Sequence, residues 1–378
     1  MTCIDRYILY VYLRTLLVCF VSIAGVFVVF HAFTNVDDLA EHAERTGSMA
    51  AAFLGFYGPF MLMLFEMTST VIALLALIFT IGLLRRSGEL TAILSSGVSH
   101  GRIVRPMLLA AAGVIGFAAL NRELLLPRWQ DKLGMKAKDL AGETEQPLLP
   151  CYDTMAGVLI KGKSLIVLRK EIVAPAFKIH PLLPEFGQQL NAELAHWVGA
   201  TAEHPSGYLL SRVSSPQEID SLPSQTLGNQ TALRTPLDTP WLEPGQCFVA
   251  SRVEYDFLQS GSSWKRMATT ADLVRRVSNP AVYCAADVRV TLHDRWLRPP
   301  LDFSLIVLSL SLVVGRSERN LFVVAGYATG LVGLFFGLRT GFHMMGGSDM
   351  IDPATAAWAP LLVLGPLAYA RYRIVQVS

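Results

Sequence analysis

The run LRTLLVCFVSIAGVFVVFHAF, Leu13 to Phe33, decides the class of this protein. Apart from Arg14 near its start and His31 near its end, it holds only apolar and small uncharged residues. A helix rises about 1.5 Å per residue, so about 20 such residues cross the hydrocarbon core of a bilayer. The run is longer than the roughly 7–15 residue apolar core of a secretory signal, and no convincing small-residue cleavage site follows, so it reads as a retained membrane helix.

Five further runs are predicted spans. The second covers about Met67 to Leu84, with an apolar lead-in from Ala51 to Phe65, and the third covers Val104 to Leu120. After a long polar interval come Leu301 to Val314, which reaches spanning length only with its flanks, then Leu321 to Leu338 and about Ala354 to Ala370. Composition agrees. Of 378 residues 52% are hydrophobic and 16% charged, against about 25% charged in soluble domains. A net charge of +2 leaves no electrostatic footprint for a nucleic-acid partner. The expectation is a membrane α-helical bundle of six transmembrane helices, three and three, with an inserted all-β domain.

Charge orients the bundle. Arg6 and Arg14, then Arg85, Arg86, Arg102 and Arg105, then Arg316 and Arg319, then Arg371 and Arg373 all fall on one side of the six spans. The short opposite loops carry Asp37, Asp38, Glu41 and Glu44 against Arg45, then Asp349 and Asp352. The positive-inside rule puts both termini in the cytoplasm and the long interval outside, with long loops exempt from the count.

Within that interval Arg122 to Ala141 has helical character and is expected to continue the third span. Short β-branched runs follow: Gly157 to Ile160 and Ser164 to Leu168 around Lys161-Gly162-Lys163, read as a hairpin, then Val173 to Ile179, Gln188 to Trp197, Tyr208 to Val213 and Gln246 to Val253. The Pro-, Ser- and Thr-rich stretch from Ser214 to Gly245 reads as loop with edge strands. This spacing predicts a sandwich or jellyroll. A helical turn is expected over Thr269 to Arg276, then an extended return to the membrane. The predicted organisation is 1–122 for the first helices, 123–298 for the jellyroll-like domain with its connectors, and 299–378 for the last helices.

Gly157 to Ser164 satisfies the P-loop pattern, but a strand-like Leu-Ile-Val-Leu follows where a phosphate-binding helix is required, so no nucleotide site is read here. Arg85-Arg86-Ser-Gly-Glu-Leu-Thr-Ala-Ile-Leu-Ser-Ser-Gly97 places Leu90, Ile93 and Leu94 on one helical face, Glu89 in the first turn and Gly97 at the end. It reads either as an interfacial helix between spans or, with Arg85, Arg86 and Glu89, as a coupling helix over about 86–97 that docks on a cytosolic ATPase. His31, Glu66, Arg122, Arg295, Arg298 and Arg339 fall near the outer ends of the spans. They read either as snorkelling side chains or as a ring facing an anionic lipid head group. Cys151, Cys247 and Cys284 allow one disulfide with a thiol left over, and no C-x-x-C zinc spacing or catalytic motif is present.

In this layout the chain resembles the LptF/LptG family, permease subunits that extract lipopolysaccharide from the bacterial inner membrane. The resemblance rests on Asp5-Arg6-Tyr7-Ile8, on Arg86-Ser-Gly-Glu-Leu to Ser-Gly97, and on Gly157 to Glu171. It rests also on Asn191-Ala-Glu with Gly207-Tyr-Leu-Leu, and on Leu292-His-Asp-Arg-Trp-Leu-Arg-Pro299. It implies an ABC transporter permease that is not itself an enzyme, holds no cofactor, and works above a cytosolic ATPase dimer that binds ATP and Mg. It further implies a second permease of the same type, a glycolipid cargo, a periplasmic bridge of jellyroll domains, and Glu89 as the transmission contact. The stretch His31-Ala-Phe-Thr-Asn-Val-Asp-Asp is acidic where family members often carry lysine. A permease of the MacB-like type, with four spans, and a non-transport membrane scaffold are the competing classes.

Overall fold

The computed structural model describes residues 3–37, 40, 44, 47–129, 145–166, 169–179, 188–201, 204–227, 230–258, 265, 267–281, 286–314 and 321–377. The chain divides into a helical unit, Met1–Trp129 with Ala285–Ser378, and a β unit, Gln130–Cys284.

The helical unit holds α1 (Cys3–Thr34), α2 (Met49–Arg86), the short α3 (Glu89–Ser95) and α4 (His100–Leu120). After the β unit come α6 (Ala286–Val314), α7 (Leu321–Gly347) and α8 (Pro353–Val377). Among the described residues four helices are long and apolar enough to cross a membrane: Cys3–Thr34, Met49–Arg86, His100–Trp129 and Pro353–Arg373. The lead-in and second run form a single helix of 38 residues, capped by Ser48, whose hydroxyl accepts from Ala51 N. The core joins Ile8 and Tyr12 of α1, Leu74 and Leu77 of α2, Met107 of α4, Leu305 of α6, Phe335 of α7 and Leu364 of α8. Tyr12 is fully buried and donates to Ala73 O at 3.1 Å. Its hydroxyl thus has the partner that a buried polar group requires.

The extended return expected before residue 300 is instead helix. α6 begins at Ala286 and runs through Pro299 and Pro300. Hydropathy misses this part because it is charged, yet Val288, Val290, Arg295 and Leu297 are all buried. Pro299 has no N–H to give the carbonyl of Arg295, a defect that breaks most helices. Here Arg122 Nη2 donates to that carbonyl at 3.1 Å. α4 continues past Leu120 as a π turn, Asn121–Leu125, and a 3-10 turn, Leu126–Trp129. The rest of the helical continuation expected to Ala141 lies outside the described residues.

Among the described residues the β unit forms one antiparallel sheet of eleven strands, β1 (Gln146–Pro147) to β11 (Gln246–Ala250), in the order β1-β4-β5-β7-β8-β11-β10-β9. β2 (Cys151–Asp153), β3 (Val158–Ile160) and β6 (Ala176–Lys178) lie off this path. The hairpin expected around Gly162 is corrected. β3 pairs with β2 and β6, whereas β4 (Ser164–Ile166) pairs with β1 and β5 (Glu171–Val173). Lys161-Gly162-Lys163 is therefore a bend within one long arm, and the hairpin turn lies beyond β4. Lys163 N donates to Val173 O and Ala176 N to Lys161 O, at 3.0 and 2.9 Å, so both arms bend together. Gly162 is required there: a Cβ would lie 2.4 Å from Ile172 Cγ2. The P-loop pattern runs from a positive-φ Gly157 through this bend into a strand, so no helix N-terminus is formed.

β7 (Gln189–Val198) and β8 (Gly207–Ser215) form the centre of the sheet. β9 (Gln225–Leu227) and β10 (Gln230–Arg234) supply the edge expected of the Pro- and Ser-rich stretch. Val158, Ile172, Phe177, Leu190, Tyr208, Leu210 and Val249 build the core. Asp153 is fully buried and accepts from Met155 N, Ala156 N, Ser251 Oγ and Arg252 N, which ties β2 to the end of β11. The helical turn expected over Thr269 to Arg276 is α5 (Thr270–Ser278), closed by a reciprocal Thr269–Asp272 capping box. Cys151 and Cys247 are both free thiols, and Cys284 lies outside the described residues.

Candidate functional site

Five of the six residues expected at the outer span ends come together in one network. Glu66 of α2 pairs with Arg298 of α6, which donates also to the Glu66 carbonyl at 3.2 Å. Arg122 lies 3.8 Å from Glu66 and 3.7 Å from Glu123. Arg295 pairs with Glu123 at 3.2 Å, and Arg298 approaches Asp302 at 3.6 Å. Arg339 of α7 holds both oxygens of Asp294, at 2.6 and 3.3 Å. Asn121 adds a neutral tie, donating to Leu62 O at 2.8 Å.

Glu66, Arg122, Arg295 and Asp302 are each under a tenth exposed. Isolated charges at that depth would be costly, and pairing is what makes them tolerable. Within the network four arginines (122, 295, 298, 339) face four carboxylates (Glu66, Glu123, Asp294, Asp302), so the cluster is neutral as a whole. It is neither a set of snorkelling chains nor a bare basic ring: it clamps α2, the end of α4, α6 and α7 together. Glu123, Asp294 and Asp302 were missed by the sequence reading. Asp294, Arg298 and Asp302 recur at i, i+4, which places them on one face of a helix and was the available signal.

His31 stands apart from the network. Its Nδ1 lies 3.0 Å from Tyr57 Oη, and its ring stacks with Phe27 and Phe56. Phe27 stacks on Phe60 at 4.7 Å, so His31 belongs to an aromatic seam between α1 and α2.

At the other end of α2, α3 follows Gly88, whose φ of 76° is open to glycine without strain. Gly97, at φ 85°, ends the turn as expected of a C-cap. Leu90 is buried, and Ile93 and Leu94 pack against the helical core, so these three anchor α3 to its own bundle. The outward face is Thr91, Ala92, Ser95 and Ser96. Glu89 sits at the margin and accepts from Tyr7 Oη at 2.6 Å, a partner 82 residues away that no local pattern announces. Arg85 and Arg86 close the last turn of α2, where cations favour the helix dipole.

A family model described as lipopolysaccharide export system permease LptF/LptG matches residues 6–172 and 215–374. The chain belongs to the LptF/LptG family. The matched residues hold every member of the charged network and the whole of α3, and they lie on both sides of the unmatched residues 173–214, which hold β6, β7 and all of β8 but Ser215. No curated protein matches the chain. As an LptF/LptG permease with several apolar helices and a large antiparallel sheet, it is a multi-pass inner-membrane protein and a transporter component rather than a catalyst.

Proposed function

We propose that this LptF/LptG chain takes lipopolysaccharide, or a related anionic glycolipid, out of the inner membrane and hands it to a periplasmic bridge of jellyroll-like domains. The observation that carries the reading is the family match across both helix groups on either side of an inserted β unit. In this proposal α6 and α7, 29 and 27 residues long, complete six spans with α1, α2, α4 and α8. Both termini are cytoplasmic, and the β unit is periplasmic with its sheet curled as a jellyroll.

Energy comes from a separate ABC ATPase dimer that binds ATP and Mg. Glu89, with Arg85 and Arg86 beside it, is its contact, while Leu90, Ile93 and Leu94 hold α3 on the bundle so that a push is transmitted to the spans. A second permease of the same kind is the other partner. Gly326, Gly330, Gly333, Gly337 and Gly341 fall on one face of α7, and a Cβ at each would meet nothing within 4 Å. Small residues at four-residue spacing let membrane helices approach closely. Moving acyl chains toward water costs about 0.8 kcal/mol per CH₂, so release requires both driven closure and an apolar shelter. Because the arginine network is neutral, a head group reaches Arg298 or Arg339 only by displacing Asp294, Glu66 or Asp302. The network is thus closed until charged cargo arrives.

Affinity purification in mild detergent with mass spectrometry of proteins and lipids tests the reading. An ABC ATPase, a second permease and a phosphorylated glycolipid are expected together. A preparation with no ATPase and no glycolipid, or a topology map with four spans, overturns it.

A further inference from the structure

A groove of about 550 Å³ opens between α4, α6 and α8, and no residue of the charged network lines it. Leu108 and Ala112 form one wall, Phe303 and Val307 a second, and Leu361 part of the third. Gly365 leaves the α8 side open. From Leu361 to Tyr372 the α8 wall rises about 16 Å. Its size is that of a small-molecule pocket. In a membrane helical unit such a groove is filled by hydrocarbon rather than by water.

The groove also carries a charge. Arg105, five residues into α4, lines it together with Tyr369 and Tyr372 near the end of α8. Arg105 is exposed and, unlike the arginines of the network, has no ion-pair or hydrogen-bond partner among the described residues. Arg102 lies one turn earlier on the same helix face. Unpaired arginine at one end of an apolar groove complements a molecule with a phosphate at one end and an acyl chain behind it.

We propose that this groove is a binding site for a resident anionic phospholipid of the bilayer, with its phosphate against Arg105 and one acyl chain between α4, α6 and α8. The lipid wedges three helices that the permease must move, and so sets their resting spacing. The proposal requires only that these helices lie in a bilayer, not that the cargo is a glycolipid.

The test uses the full chain in phosphatidylcholine nanodiscs containing either phosphatidylglycerol or phosphatidylcholine with a photoactivatable group in the acyl chain. The phosphatidylglycerol probe is expected to label peptides holding Leu108 to Ala112 and Leu361 to Tyr372 about fivefold more than the phosphatidylcholine probe, as one basic residue near an anionic head group provides. Arg105→Gln is expected to bring that ratio to about one. Gly365→Leu is expected to reduce labelling by both probes, since a Cβ there meets only Leu361 Cδ1, at 3.8 Å, and the added side chain enters the groove. Monodisperse elution of each variant controls for folding, and the comparison of probes on the wild-type chain needs no variant. Equal labelling of the wild type by both probes, crosslinks from the groove to a protein segment, or displacement of the phosphatidylglycerol probe by lipopolysaccharide alone would overturn the proposal.

Discussion

Asp294 and Arg339 form the simplest pair in the network, held by two hydrogen bonds with each side chain about a fifth exposed. Asp294→Ala leaves a buried guanidinium without its partner and is expected to cost about 3–5 kcal/mol, read as a lower unfolding temperature in detergent. Adding Arg339→Leu removes the stranded charge and should recover most of that loss. If the double variant is stable yet fails to transport, Arg339 has a role toward cargo beyond clamping. If it is no more stable than Asp294→Ala, the pair is not the isolated unit described here. A second residue-scale expectation concerns Cys247, fully buried in β11, whose thiol burial pushes from 9.0 up to about 12. Between those values the folded chain keeps a proton that the unfolded chain has lost. Stability from this group is therefore whole below pH 9 and falls as pH rises toward 12. Maleimide at pH 8 should leave Cys247 unmodified until the β unit is unfolded, and rapid labelling of the folded protein would contradict the burial.

At the scale of elements, glycine positions decide where strands bend and cross. Gly162→Ala forces a methyl onto Ile172, and Gly207→Ala places one 2.3 Å from Val249 O. The second meets backbone that cannot rotate away, so it should destabilise more, by about 1–3 kcal/mol, as overpacked cores do. Limited proteolysis of the β unit compares the two. Equal resistance of both variants would show that the sheet accommodates the added methyl at either position. For α3 the expectation is functional. Glu89→Lys reverses charge at the proposed ATPase contact while Leu90, Ile93 and Leu94 still seat the helix, so transport should be lost with expression and folding kept. Wild-type transport in that variant would remove Glu89 from the contact.

Across the whole molecule, much was legible because hydrocarbon imposes long uninterrupted apolar runs that local composition displays. The spans of α1, α2 and α4, the β character of the inserted segment, the short helix at Glu89 and its glycine stop were all readable before any coordinate. The charged half of α6 was not, because a hydropathy count scores Asp294, Arg295 and Arg298 as water-loving, whereas each is satisfied by a residue from another helix. The strand partners around Gly162 were equally hidden, since a bend and a turn have the same local residues and differ only in what lies opposite. The chain order of amino acids by itself determined that this protein lives in a membrane and carries a β insert, for those follow from the solvent each segment must face. Only the tertiary structure decided that four arginines meet four carboxylates and that Arg122 repairs the carbonyl left by Pro299. Charge compensation is a property of residues brought together across helices, and nothing within one segment can express it.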